Sequence, residues 1–163
     1  MARVADLLLR SGLDAARLSL EITEAAFGVD AEAMIERLHE LKQLGVRLAI
    51  DDFGTDYSSL SKLRRLPVDV LKIDKAFVQG IATDVAEWAL CTAIIRLAAG
   101  LGKTTVAEGI ETGGQLAHLR SLGVELGQGY LFAPPLAPAT IAPLLEAAPG
   151  TAFRRSNTPE RSH

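Results

Sequence analysis

Acidic residues recur where apolar runs of this sequence end. Glu21 lies in Leu18-Ser19-Leu20-Glu21-Ile22, Asp51 closes the run 46–51 with Asp52 directly after it, and Glu108 and Glu111 flank Gly109. Lys72 sits in Leu71-Lys72-Ile73-Asp74, and Gln128 lies between two glycines. Two adjacent carboxylates repel unless protonated or neutralised, and with further carboxylates nearby a pair of divalent cations is the usual means. An oxygen-rich set without a Cys or His cluster favours Mg2+ or Mn2+ over Zn2+. On a regular strand Asp51 and Asp52 would point to opposite sides. For both to serve one site the chain must leave strand geometry there, and Gly54 is placed to permit the bend.

The other groups each have a plainer role open to them. Lys72 has apolar neighbours, and a buried ammonium needs anionic partners. Near the acidic cluster it could orient a water or stabilise a phosphate; on an edge strand it could be a solubility device. Glu111 reads equally as favourable charge near a helix N-terminus. His39, His118 and His163 fall on expected helix surfaces or in the tail and read as solvated imidazoles. Cys91, the one cysteine, lies in an apolar stretch and reads as a core thiol; with no disulfide framework a reducing cytoplasm is expected.

Five apolar, β-branched runs carry these groups: 18–22, 46–51, 70–74, 104–108 and 128–132. They alternate with helical patterns, which implies a parallel sheet with crossover helices. The first such helix shows Met34, Ile35, Leu38 and Leu41, with Asp30 as N-cap and Gly45 as stop. Later helices are expected over 58–66, 85–101, 113–122 and 138–145, with Thr112 and Gln115 forming a capping box. Within the first three runs Leu18, Leu20, Ile22, Leu48, Ile50, Leu71 and Ile73 share one parity, while Glu21, Asp51 and Lys72 fall on the other. Polar groups converging from several strand ends are the layout of a (β/α)8 barrel site at its C-terminal face.

Composition sets the outer limits. The chain has 163 residues, 48% hydrophobic and 23% charged, which suits one domain with a real core. A net charge of −3 provides no basic surface for polymeric nucleic acid, although a small anion could be held through a metal. The apolar stretch near the N-terminus is too short and too charged for a signal peptide or membrane insertion. Residues 149–163 are polar, without apolar periodicity, and are expected to be a disordered tail after a domain at 1–148.

Five strings, in order and in spacing, resemble the successive motifs of EAL phosphodiesterase domains: Glu21-Ile22-Thr23-Glu24, Asp51 through Leu60, Leu71-Lys72-Ile73-Asp74, Ala107-Glu108-Gly109-Ile110-Glu111-Thr112 and Gly127-Gln128-Gly129-Tyr130-Leu131-Phe132. The resemblance implies a (β/α)8 TIM-like barrel that linearises cyclic di-GMP to pGpG with two Mg2+ or Mn2+ ions. It assigns Glu21 to the first metal, Asp51 to both, and Asp52 and Glu108 to the second. Glu108 is also the expected general base, Lys72 fixes the attacking water, Gln128 holds substrate, Glu111 supports Lys72 and the ligand, and Glu24 anchors the loop after Asp52. A homodimer contact is expected around Asp56 to Leu66.

Two departures qualify the resemblance. Asp56 stands where the family pattern has glycine, and the Glu-Ala-Leu segment with the Asn ligand after it is not among these residues. About five strand–helix units are expected, an incomplete barrel with open strand edges, so turnover by this chain alone is not expected. The rival is a degenerate EAL module that binds nucleotide or a protein partner without turnover. A carboxylate-based glycosidase is disfavoured because adjacent aspartates suit metals better than two separated carboxyl groups.

Overall fold

The computed structural model describes residues 2–23, 26, 31–54 and 60–146. Five parallel strands lie in chain order: β1 (Ser19–Thr23), β2 (Arg47–Phe53), β3 (Val70–Ile73), β4 (Thr104–Ala107) and β5 (Leu126–Gly127). Each pairs only with its sequence neighbours, so β3 is central and β1 and β5 are the edges. Helices α1 (Ala2–Ser11), α2 (Ala31–Gln43), α3 (Leu60–Arg65), α4 (Lys75–Gly80), α5 (Val85–Gly100), α6 (Gly113–Ser121) and α7 (Pro138–Glu146) alternate with them. This is the arc of a (β/α)8 barrel, as the alternating pattern predicts.

The two strand parities explain why the sheet has one apolar face and one polar face. Leu48, Ile50, Leu71 and Ile73 are fully or almost fully buried against Ile35 and Leu38 of α2, Leu63 of α3, Val78 of α4, Cys91 and Ile95 of α5 and Leu119 of α6. The opposite parity, Glu21, Ala49, Asp51, Val70, Lys72, Thr104 and Val106, faces the inside of the arc, because Glu21 pairs with Ala49, Ala49 with Val70, and Lys72 with Val106. Burial pushes the Cys91 thiol up to about 11, which keeps it a protonated core group.

The base of the sheet is held by charge. Lys42 reaches both oxygens of Asp69 at 2.9 and 2.8 Å and the carbonyl of Val46 at 3.1 Å, while Asp69 Oδ2 accepts the Leu48 N–H at 2.8 Å. Lys103 donates to the Val68 carbonyl at 2.8 Å. Carbonyls that enter the strands without a ladder partner are thereby satisfied.

Helix boundaries follow the expected signals closely. Gly45 takes φ 88 as the stop after α2, and Thr112 with Gln115 forms the full capping box of α6. Asp30 and the tail 149–163 lie outside the described residues. So does Asp56; of the expected dimer segment α3 is described, where Arg65 grips Glu32 through two bonds of 2.7 Å.

The fifth strand is corrected. β5 covers only Leu126–Gly127, and residues 128–132 turn back instead of extending. Ile110 N–H donates to the Gln128 carbonyl at 3.0 Å, and Leu131 N–H donates to the Ile110 carbonyl at 2.9 Å. This pins the chain on the loop after β4, with Gly129 so close that any Cβ there would collide with Ile110 backbone. The apolar Tyr130-Leu131-Phe132 run resembles a strand in pattern, yet the close approach at Gly129 decides the geometry.

Candidate metal centre

The site begins with an extra residue in β2. Ile50 pairs with Leu71 and Phe53 with Ile73, so three steps on β2 match two on β3. Such a bulge reverses side-chain parity beyond it. Phe53 therefore enters the core at 4% exposure, and Asp52, at φ 52, no longer has to face away from Asp51. Aspartate tolerates this left-handed conformation better than most residues. The expected departure from strand geometry is thus present, and it begins at Asp52 itself, two residues ahead of Gly54.

Lys72 organises the inner face. Its side chain, 9% exposed on the central strand, places Nζ 2.7 Å from Glu21 Oε2, 2.6 Å from Asp51 Oδ1 and 2.7 Å from Glu108 Oε1. β3 is flanked on both sides, so the edge-strand role for Lys72 does not apply. Burial by itself pushes the ammonium pKa down, but bonds to Asp51, Glu108 and Glu21 outweigh this and hold it above the usual lysine value. Three carboxylates from β1, β2 and the end of β4 are drawn to one cation.

Glu108 follows β4, anchored by its N–H to the Ile73 carbonyl at 3.1 Å. Its Oε1 also accepts Gln128 Nε2 at 2.7 Å, so the last two strand ends are joined by side chains. Asp51, Asp52 and Glu108 can each bring one carboxylate oxygen within 4.8 Å of the others. Three half-buried oxygen donors without sulfur or imidazole form a hard set, which fits a Mg2+-like cation and not Zn2+.

Asp74 belongs to this group although sequence reasoning read it only as the end of a strand. Its Oδ1 caps α4 by accepting Ala76 N–H at 2.7 Å, and its carboxyl hydrogen-bonds Asp52. That bond first, then burial and the charges of Asp51, Asp74 and Glu108, holds the Asp52 carboxyl above its usual range. An Asp directly ahead of Lys75-Ala76-Phe77-Val78 is an N-cap signal, but a six-residue helix is too short to show periodicity.

Glu111 is exposed, and its described contact is backbone: its N–H donates to Gln115 Oε1 at 2.8 Å. The described partners of Lys72 do not include it. Glu24 lies outside the described residues. His39 is exposed and His118 bonds the Gly114 carbonyl on α6, both away from the carboxylates. A hollow of about 240 Å3 lined by Ile81, Trp88 and His118 includes neither Lys72 nor any of the carboxylates around it.

Comparison with known proteins agrees with this architecture. The family model of the EAL domain matches residues 1–135. The chain is 47% identical over 140 residues to the cyclic di-GMP phosphodiesterase NbdA of Pseudomonas aeruginosa, covering 86% of this chain and 18% of that protein. Among solved structures it resembles the phosphodiesterase PaMucR in complex with c-di-GMP, with TM-score 0.82 and 41% identity over 86% of this chain and 57% of that one. It also resembles a manganese and cyclic di-GMP complex of Klebsiella pneumoniae BlrP1, with TM-score 0.77 and 36% identity over 82% of this chain and 34% of that one. The chain therefore spans less than two thirds of each of these proteins.

Proposed function

The chain belongs to the EAL domain family, and from that premise we propose that its strand ends carry part of a divalent-cation site for hydrolysis of cyclic di-GMP to pGpG. The observation that carries this reading is the convergence of Glu21, Asp51, Asp52 and Glu108 around Lys72 on one face of the sheet. The cyclic di-GMP and manganese complexes of the related structures support the choice of substrate and cation.

In this reading Glu21 and Asp51 hold one Mg2+ or Mn2+, and Asp51, Asp52 and Glu108 hold a second. When bound, such ions polarise the phosphate and lower the pKa of water. Lys72, by exchanging one of its three carboxylate contacts, donates to the attacking water. Glu108, fixed by Lys72 and Gln128 through Oε1, is the carboxylate placed to accept the proton of that water. The water oxygen forms the new P–O bond, one ribose oxygen leaves phosphorus and takes up a proton from solvent, and the ring opens to pGpG. Gln128 holds Glu108 in place and contributes to the substrate face, with Glu111 and Glu24 as outer contacts to the ligand and the loop.

A second role, binding without turnover, suits the 163 residues by themselves. β1 and β5 are both edges of the described sheet, and a two-metal site tolerates little misplacement: an error near 1 Å can cost about a hundredfold. Labelled cyclic di-GMP incubated with the purified chain in Mg2+ or Mn2+ separates the roles. Retention without cleavage is the expected result, and robust conversion to pGpG, lost in Glu21→Ala, overturns it.

A further inference from the structure

Asp52 and Glu108 lie on segments that β3 keeps apart. The last pairs of β3 are Ile73 with Phe53 on one side and Ile73 with Ala107 on the other. Beyond Ile73 the chain turns into the six-residue helix α4, and this helix touches both segments. Asp74, its N-cap, hydrogen-bonds Asp52 through the two carboxyls. A Cβ on Gly109, the residue after Glu108, would stand 2.5 Å from Lys75 Cβ and 3.4 Å from its Cα, so the first turn of α4 lies directly on that backbone. Gln115, 6% exposed, ties the other end: Nε2 donates to the Gln79 carbonyl at 3.4 Å, and Oε1 accepts the Glu111 and Thr112 N–H groups at 2.8 and 2.9 Å.

Phe77 meets the turn that follows Asp52. A Cβ on Gly54 would stand 3.2 and 3.3 Å from Cε2 and Cζ of Phe77, and 3.1 Å from Cδ1 of Ile94 on α5. Resting on the proposed cation site, we propose that Phe77 is a positioning residue for the cation shared by Asp51, Asp52 and Glu108. Its ring is the spacer that holds the Asp52–Gly54 turn off α4, while the same helix rests on the Glu108 segment. Close-packed groups yield little, so the length of the side chain at 77 is passed on to the turn. The next residue, Val78, is fully buried and anchors α4 in the core, whereas Phe77 is half-buried. Truncating Phe77 therefore alters the support of the turn more than the seating of the helix. With a shorter side chain the turn settles toward α4 and carries Asp52 away from Asp51 and Glu108, with which it now brings one carboxylate oxygen each within 4.8 Å. Partners that orient metal ligands are typically worth about 10–100-fold in metal affinity.

The test is equilibrium Mn2+ binding by the full chain, read from the free-ion paramagnetic resonance signal, beside urea denaturation, in wild type, Phe77→Ala, Phe77→Met and Leu38→Ala. Phe77→Ala should weaken Mn2+ binding by at least about tenfold. Phe77→Met, whose unbranched chain restores the reach to Gly54, should return it to within about threefold of wild type. Leu38→Ala removes a buried side chain on α2. It should lower the urea midpoint at least as far as Phe77→Ala does, yet leave Mn2+ affinity within about threefold of wild type. Unchanged affinity in Phe77→Ala, or equal weakening in Phe77→Ala and Leu38→Ala, overturns the inference and leaves the cation site standing. A loss in Phe77→Met as large as in Phe77→Ala also overturns it, since reach is then not what matters. No Mn2+ binding by the wild type removes the cation site and the inference together. Should Phe77→Ala fail to fold, Phe77→Val takes its place, because valine also stops short of Gly54, and the same comparisons decide.

Discussion

Gln128 donates its side-chain amide to Glu108 at 2.7 Å, tying the residue after β5 to the residue after β4. Lys72 engages the same oxygen from β3, so Glu108 is held from two sides with its second oxygen left open. In the completed EAL domain, Glu108→Gln keeps the shape and removes the base, and is expected to lower turnover by at least about a hundredfold with little change in nucleotide affinity. Steady-state hydrolysis set beside equilibrium cyclic di-GMP binding checks this; parallel losses in both would place Glu108 in binding alone.

Chelation should abolish hydrolysis in any protein that performs it with this set of carboxylates. Added Mn2+ should raise the melting temperature of the chain, by an amount corresponding to about 2.7 kcal/mol at a hundredfold excess over its dissociation constant. Calorimetry with and without Mn2+ provides the check, and an unchanged melting curve would remove the cation site.

Asp52 has two separable roles, a left-handed backbone and a carboxylate. Asp52→Gly relaxes the backbone and removes the donor, so the fold should hold while Mn2+ affinity falls. Asp52→Val adds a β-branched side chain at φ 52 and should destabilise by about 1–3 kcal/mol. Urea denaturation of the two variants distinguishes backbone strain from ligand loss.

Acid sensitivity should trace to Asp69. Burial pushes its carboxyl pKa up, but bonds from Lys42 and the Leu48 N–H outweigh this and hold it below the ordinary value. A folded-state pKa below the unfolded one contributes stability that is present above the unfolded value, near about 3.9, and is lost as pH falls through the folded value. Asp69→Asn should therefore lower the urea midpoint at neutral pH and narrow the gap to wild type under acid. A gap that stays constant down to strongly acidic pH would detach the effect from this carboxylate.

Gly129→Ala should destabilise by about 1–3 kcal/mol and move Gln128, because a Cβ there meets the Ile110 backbone. A melting temperature equal to wild type would show that the turn can rearrange.

Much of this arrangement was legible in residue types alone. Strand parity placed Glu21, Asp51 and Lys72 on one face, because alternation is a local property of β geometry. The need for a bend at Asp51-Asp52 followed from the same alternation, and the bulge meets it. The turn at 128–132 was not legible: it depends on Gly129 meeting Ile110, a contact between segments that periodicity cannot register. Asp74 escaped because its partner, Asp52, is brought to it by the bulge on the neighbouring strand, and no spacing along the chain encodes that encounter.

The lysine clasps at the lower ends of β2, β3 and β4 have a mechanical consequence. Lys42 and Lys103 fasten the entries to these strands to one another through Val46, Asp69 and Val68, while at the opposite ends Lys72 gathers Glu21, Asp51 and Glu108. A sheet laced by lysines along both rims behaves like a hand fan with a rivet below and a single stitch above. Whatever loosens the Lys72 stitch leaves the lower rim fastened, so the carboxylate tips can spread while the strand register below is unaltered.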